Sequence, residues 1–146
     1  MTITHTPIVR LCPEKPVTVY PLQTSPEDHE IARRILDCGG CTSRVSPSGK
    51  ILDAATGYGL SIFKDREVVV PIVDFSAGHI AAYRDLNADL LGRDEVYVGG
   101  WFNNEDGNVY LDCSIVVNDL GVARAAASAA SQLAIWDLGN KEEIRL

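Results

Sequence analysis

The sequence contains no apolar run near the roughly 18 consecutive residues that a transmembrane helix requires. Its first ten residues, Met1 to Arg10, lack the basic segment and apolar block that are typical of a secretory signal. Four cysteines in 146 residues are too few for the disulfide framework of a small secreted domain. These absences predict a cytoplasmic protein with reduced thiols and no membrane partner.

Basic residues are also few, because 13 Lys and Arg stand against 20 Asp and Glu and give a net charge of −7. They are scattered along the chain, and only Arg33 and Arg34 are adjacent. Such a surface opposes the approach of a phosphate backbone, so we expect no nucleic-acid partner. A strongly acidic DNA mimic would need a higher density of carboxylates and is a minor alternative.

The signatures of common catalytic sites are missing as well. The chain has no nucleophile elbow, no H-E-x-x-H motif and no set of kinase motifs, and its three histidines are scattered. Cys38 and Cys41 form one C-x-x-C pair, but no second close pair of Cys or His completes a four-ligand zinc site. We therefore predict no catalytic residue, no metal and no cofactor, and expect the purified protein to carry no stoichiometric zinc.

What the chain does contain is typical of a globular domain, with 46 % hydrophobic and 23 % charged residues. A chain of this length can bury enough surface to form one hydrophobic core that folds cooperatively. Helical and strand patterns follow one another, which predicts a single α+β domain with an antiparallel or mixed sheet and helices packed on one face. The expected organisation is an extended proline-rich arm at 1–24, the α+β domain at 25–138 and a polar C-terminal tail at 139–146.

Capping residues and apolar spacing predict three helices, which begin after Ser25, after Ser76, and after Asn118 or Asp119. They should end near residues 37, 91 and 132. Period-two patterns and turn residues predict strands at about 42–46, 58–63, 67–73, 95–102, 109–117 and 133–138. In the arm, the stretch from Val17 to Tyr20 is a further candidate for a short edge strand.

The clearest element is the hairpin formed by 95–102 and 109–117, since turn-forming residues fill positions 103–108. Alternation places the odd-numbered residues of the second strand in the core and the even-numbered residues on the other face. Pairing Phe102 with Val109 then sets three cross-strand pairs on that second face. They are Trp101 with Tyr110, Gly99 with Asp112, and Tyr97 with Ser114.

This second face combines aromatic and polar side chains, which makes it the candidate binding surface. Tyrosine and tryptophan suit a contact surface because they bring a large area with few rotatable bonds. The sequence leaves open whether the face is free, and a second apolar sheet face is more often covered by helices. The candidate binding residues are Tyr97, Trp101, Tyr110, Asp112 and, on the last predicted strand, Trp136.

The motifs Gly99-Gly100-Trp101, Val109-Tyr110-Leu111-Asp112-Cys113-Ser114 and Gln132-Leu133-Ala134-Ile135-Trp136-Asp137 resemble a pattern in small uncharacterised proteins of actinobacterial phages and integrated mobile elements. That pattern is G-x-W, V-Y-L-D-x-S, an alanine-rich helix and Q-x-A-I-W-D. The similarity extends upstream to Gly39-Gly40-Cys41-Thr42 and Thr56-Gly57-Tyr58-Gly59-Leu60-Ser61, and so covers about residues 39–138. It implies a phage or mobile-element origin and the cytoplasm of the infected bacterium, and it carries over no activity.

These observations favour an accessory protein that binds a host or phage protein, for host takeover or to counter a defence system. One alternative is a virion assembly or structural subunit, for which an arm draped over a neighbouring subunit and a homo-oligomer would be natural. Another is a small enzyme with a pocket around Asp112 and a raised carboxyl pKa. A deep polar pocket would favour the enzyme, whereas an arm that contacts another subunit would favour assembly.

Overall fold

The structure is a computed structural model that describes residues 23–146. The predicted arm at 1–24, with its candidate strand from Val17 to Tyr20, therefore lies outside the described residues except for Gln23 and Thr24. Residues 23–146 form one α+β domain, as predicted, and all their strand pairs are antiparallel. None of the helices in this part of the chain is both long enough and apolar enough to cross a bilayer.

The domain has helices on one side of a single curled sheet. The helices are α1 (Pro26–Cys38), α2 (Ala77–Leu86), α3 (Ala88–Leu91) and α4 (Leu120–Ala129). The strands are β1 (Gly40–Val45), β2 (Ile51–Asp53), β3 (Tyr58–Leu60), β4 (Val68–Pro71), β5 (Val96–Asn103), β6 (Asn108–Val117), β7 (Ala134–Asp137) and β8 (Glu142–Arg145). Their order is β2-β1-β5-β6-β3-β7-β8, and β4 pairs with β6 outside this path.

The predicted helix starts are confirmed, because each has a side chain that caps the first turn. Ser25 and Asp28 form a reciprocal capping box at α1, Ser76 and His79 form a second one at α2, and Asp119 accepts from Val122 N at α4. Each cap pairs backbone amides that have no partner inside the helix.

The Asp28 carboxylate also holds α1 to α2. It accepts a hydrogen bond of 2.6 Å from Arg84 Nη1, and its side chain is only 4 % exposed. A capping carboxylate that is also paired with the partly buried Arg84 fixes both the start of α1 and its position beside α2.

The predicted helix from Ser76 to Leu91 is divided at Asn87. Its Nδ2 donates to the Tyr83 carbonyl over 2.9 Å, and its Oδ1 accepts from Arg66 Nη1 over 3.0 Å. The Tyr83 carbonyl also accepts from the backbone N–H of Asn87, and the backbone of Asn87, with φ of −112° and ψ of 23°, leaves the helical conformation, so this residue ends α2 and precedes α3. The third predicted helix also ends early, at Ala129, and the chain then adopts a positive φ of 60° at Ser131.

Two strands were not predicted, and the polar tail at 139–146 was wrong in part. Residues 142–145 form β8, which pairs with β7 so that Ile144 lies opposite Ile135. Its charged residues are typical of an edge strand, where charge discourages pairing with another chain. At the other edge, a turn after Ser46 leads into the three-residue strand β2, which pairs with β1.

The helices pack on one face of the sheet, as predicted. Two groups of buried side chains fill this face. The larger joins α1, α2 and α3 to β4, β5 and β6, and the smaller joins α4 to β3 and β7. The odd-numbered residues Val109, Leu111 and Cys113 belong to the larger group, which confirms the predicted core face of the hairpin. We call the opposite side, with Trp101, Tyr110, Asp112, Ser114 and Trp136, the open face.

Candidate binding face

The predicted register of the hairpin is confirmed residue by residue. Trp101 pairs with Tyr110, Gly99 with Asp112, and Tyr97 with Ser114. The loop that sets this register is closed locally, because Asn103 Oδ1 accepts from Glu105 N and Asp106 Oδ1 accepts from Asn108 N, both over 2.9 Å. Side-chain caps of this kind stabilise a turn and hold the two strands in a single alignment.

Three apolar residues form an exposed patch at the loop end of the open face. The rings of Trp101 and Tyr110 stack with centroids 5.0 Å apart and an angle of 19° between their planes. Val69 of β4 lies opposite Tyr110 on its other side, so the three residues are adjacent across three strands. Trp101 is 45 % exposed and Val69 46 %. We call this set, Val69, Trp101 and Tyr110, the hairpin patch.

The loop itself holds the Tyr110 ring in place. The Tyr110 hydroxyl donates a hydrogen bond to Asp106 Oδ2. This bond lowers the pKa of the Asp106 carboxyl and raises the pKa of the tyrosine, because it favours the carboxylate and the neutral phenol. Of the two rings in the hairpin patch, that of Tyr110 is therefore held by a hydrogen bond from its hydroxyl.

Asp112 lies in the middle of the open face and is 8 % exposed. It fits there only because residue 99 is glycine. A Cβ on Gly99 would overlap Asp112 Oδ1 and would lie 2.5 Å from Ser114 Oγ. The missing side chain on β5 therefore makes the space in which the Asp112 carboxyl and the Ser114 hydroxyl sit side by side.

The hydrogen bonds of Asp112 are satisfied within the sheet. Burial raises the pKa of its carboxyl, hydrogen bonds from Ser114 and Ser61 oppose this shift, and the charge of Glu67 adds to it. The two surface depressions described below are not lined by Asp112. A buried carboxyl that accepts a hydrogen bond from a neighbouring hydroxyl has the contacts of a structural residue.

Tyr97 faces a shallow depression at the far end of the open face. It is lined by Ala54 and Thr56 of the loop between β2 and β3, and by Glu95 and Val116. A second depression lies on the helix side, between α3 and the strands β1 and β5. Tyr97 is partly exposed there, but it does not join the hairpin patch.

Trp136 is on the predicted face but stands apart from the other aromatic rings. It pairs with Gly59 of β3, which in turn lies opposite Val116 of β6. Val116 lies six positions along β6 from Tyr110, or roughly 20 Å along the strand. Trp136 is 44 % exposed. The structure thus brings Trp101 and Tyr110 together and leaves Tyr97 and Trp136 as separate sites.

The C-x-x-C pair lies where α1 passes into β1. Gly39, with φ of 88°, ends the helix, and Cys38 before it is exposed. Cys41 packs against the core, and burial raises the pKa of its thiol to about 11. Among residues 23–146, no group of three or more His, Cys, Asp or Glu side chains is arranged to hold a metal ion.

Val69 is the part of the patch that was not predicted. The apolar run from Val68 to Val70 indicated a strand, but no pattern showed which strand it would join. A signal was present, because alternation within the run puts Val69 on the face opposite Val68 and Val70. Its neighbours became known only from the pairing of β4 with β6. The aromatic rings are exposed rather than covered because the helices lie on the other face.

The fold and this surface define a small α+β domain with an antiparallel sheet, one face under helices and the other carrying an apolar patch. In comparisons with protein-family models, with curated proteins and with solved structures, the chain has no match.

Proposed function

We propose that the protein acts by binding another protein through the hairpin patch. The observation that carries the proposal is the exposure of Trp101 and Val69 beside the Tyr110 ring, on a face that none of the described helices covers. Exposed aromatic residues that are held rigidly contribute much of the energy at protein interfaces. The partner is a host or phage protein, in keeping with the motif resemblance, and the setting is the bacterial cytoplasm.

The charge of the chain points to the chemistry of this partner. At a net charge of −7, the surface attracts a basic rim and repels a phosphate backbone. Glu67, Glu105 and Asp106 are exposed in the segments next to the patch. We therefore expect a partner that offers an apolar pocket or groove surrounded by Lys and Arg. In a mobility-shift assay at about 150 mM salt, we expect no submicromolar binding of DNA or RNA.

The test compares two tryptophans on the same face. Trp101 and Trp136 are 45 % and 44 % exposed, but only Trp101 belongs to the hairpin patch. The wild-type protein, Trp101→Ala and Trp136→Ala serve as baits in lysate of phage-infected actinobacteria. Candidates that the wild type and Trp136→Ala retain, and Trp101→Ala loses, are then purified and titrated against all three proteins.

For a true partner, Trp101→Ala should weaken binding by at least about 30-fold, the loss typical of a central aromatic residue. Trp136→Ala should stay within about threefold of the wild type. Equal affinity of the wild type and Trp101→Ala for every purified partner would remove the hairpin patch as the binding site. A loss at Trp136→Ala alone would move the site to the other end of the face.

A further inference from the structure

The helices α1 and α2 begin with the same capping box but with different chemistry. In α1, the backbone N–H of Ser25 donates to the Asp28 carboxylate over 2.8 Å, and in α2 the N–H of Ser76 donates to Nδ1 of His79 over 3.2 Å. Both bonds pair an amide that has no partner inside the helix. A carboxylate accepts at any pH above its own titration range, whereas an imidazole nitrogen accepts only while the ring is neutral.

The bond from Ser76 fixes the protonation state of the His79 ring. Because a backbone N–H can only donate, Nδ1 must carry its lone pair, and the proton of the neutral ring is then on Nε2. A second proton, on Nδ1, would set two N–H groups against each other across the 3.2 Å contact. It would also place a positive charge in the first turn of α2, where the helix dipole favours negative charge. Ser76 Oγ lies 3.4 Å from the same nitrogen, but a bond to it leaves the Ser76 N–H without an acceptor.

The surroundings of the ring also disfavour the imidazolium. The His79 ring stacks on Phe75 with centroids 6.1 Å apart. Burial lowers the pKa of His79, and the negative charge of Asp74 opposes this shift. Among residues 23–146, Asp74 is the charged group whose field acts on the ring. The charged side chains that reach α2 from neighbouring elements have ion pairs of their own, Asp28 with Arg84, and Arg66, which bonds to Asn87, with Asp89.

We propose that His79 makes the start of α2 a pH-sensitive cap, which is closed while the imidazole is neutral and opens when Nδ1 takes up a proton. A single turn of 3-10 helix, Ile72–Asp74, joins β4 to the capped end of α2. Mild acid therefore loosens the segment that follows β4. The start of α1 stays capped in the same pH range, because its box uses the Asp28 carboxylate. This inference does not rest on the proposed partner.

The direction of the pKa shift sets the pH range in which the cap is lost. The unfolded chain binds the proton with the ordinary histidine pKa of 6.5, and the folded protein binds it less readily. The stability that the cap contributes is therefore fully present above pH 6.5 and is lost as the pH falls from 6.5 through the lower pKa of the folded state. Ordinary carboxyl groups titrate at lower pH, so a comparison of suitable variants separates the two effects.

The experiment studies the full chain by NMR and by urea unfolding at about pH 7.5 and about pH 5, on either side of the ordinary histidine pKa. The wild type is compared with His79→Gln, because glutamine is a natural residue at this position of a capping box and accepts at both pH values. His29→Gln near the start of α1 is the matched control. The His29 ring bonds to Thr24 Oγ1 through Nε2 over 2.9 Å and takes no part in a capping box.

In the wild type at about pH 7.5, the ring nitrogen resonances of His79 should place the proton on Nε2, and the ring should titrate at lower pH in the folded than in the urea-unfolded chain. A proton on Nδ1, or an equal or higher titration midpoint in the folded chain, overturns the proposal without any variant.

The unfolding measurements test the energy of the cap. From about pH 7.5 to about pH 5, the unfolding equilibrium constant of the wild type should rise at least about threefold relative to that of His79→Gln, as for the loss of one helix cap. His29→Gln should show the same rise relative to His79→Gln. A smaller rise in the wild type, or its loss in His29→Gln, overturns the proposal too.

Discussion

Replacing Gly99 by alanine tests the packing of the open face at its tightest point. The added Cβ would overlap Asp112 Oδ1 and would lie 2.5 Å from Ser114 Oγ, about 1 Å inside ordinary contact. Neither polar group can move without cost, because the carboxyl is 8 % exposed and the hydroxyl donates to it. Gly99→Ala must therefore displace a buried hydrogen-bonded pair.

The expected loss in free energy of unfolding is about 2–4 kcal/mol. Overpacking a close contact costs about 1–3 kcal/mol, and a buried polar group that loses its partner costs a similar amount. Gly59→Ala is the matched control on the same face, since its Cβ would lie 3.8 Å from the nearest atom, Trp136 Cβ. It should change stability by less than about 1 kcal/mol, in the stabilising direction if anything.

Urea unfolding measured for both variants gives the midpoint and the slope. A double variant, Gly99→Ala with Asp112→Ala, removes the nearer of the two groups that the new methyl meets and frees the Ser114 hydroxyl to rotate away, so the cost of Gly99→Ala should fall by at least about 1 kcal/mol in that background. The explanation is refuted if Gly99→Ala unfolds within about 0.5 kcal/mol of the wild type, or if the double variant shows no coupling.

Three further measurements test other contacts of the same structure. A double-mutant cycle on Trp101→Ala and Tyr110→Ala should give a coupling of about 0.5–1.5 kcal/mol, and additive losses would contradict the stacked geometry. Asp28→Ala should cost about 2 kcal/mol, because it removes a cap and the carboxylate partner of the partly buried Arg84, whereas Asp37→Ala in the exposed last turn of α1 should cost less than about 0.5 kcal/mol. Burial raises the pKa of Asp112 above 3.8, so the folded state takes up a proton and its stability falls as pH rises through the interval between the two values. In urea unfolding, the stability of Asp112→Asn relative to the wild type should therefore increase as the pH rises above about 4, and a difference that is constant with pH would contradict the raised pKa.

The register of the hairpin could be predicted in full because the residues that determine it are close together in the sequence. Turn residues fix the loop, and a period of two fixes the face of every residue once one pair is assigned. The pairing of Phe102 with Val109 was therefore enough to place Trp101 opposite Tyr110. The helix starts were predictable for the same reason, since a cap and its first turn lie within four residues of each other.

The sequence-based predictions were wrong where a residue far away in the sequence determines the local structure. Asn87 divides a helical pattern because Arg66, 21 residues earlier, donates to its side chain. The segment 142–145 reads as a polar tail, and only its pairing with β7 makes it a strand. The exposure of the open face also depends on contacts between residues that are far apart in the sequence. The exposure of the open face depends on which side of the sheet the helices pack against. The alternation of residues within one strand does not show which side that is.

The open face separates the residues that hold the fold from those that offer a contact. Gly99, Asp112 and Ser114 fill its centre, and their contacts are satisfied inside the sheet. Trp101 and Val69 have almost half of their surface in solvent, so this half contributes nothing to folding. Trp101→Ala loses the packing of the other half but brings no atoms into overlap, unlike Gly99→Ala. A loss of partner binding by Trp101→Ala therefore reports on the contact itself once urea unfolding has shown that the variant is folded.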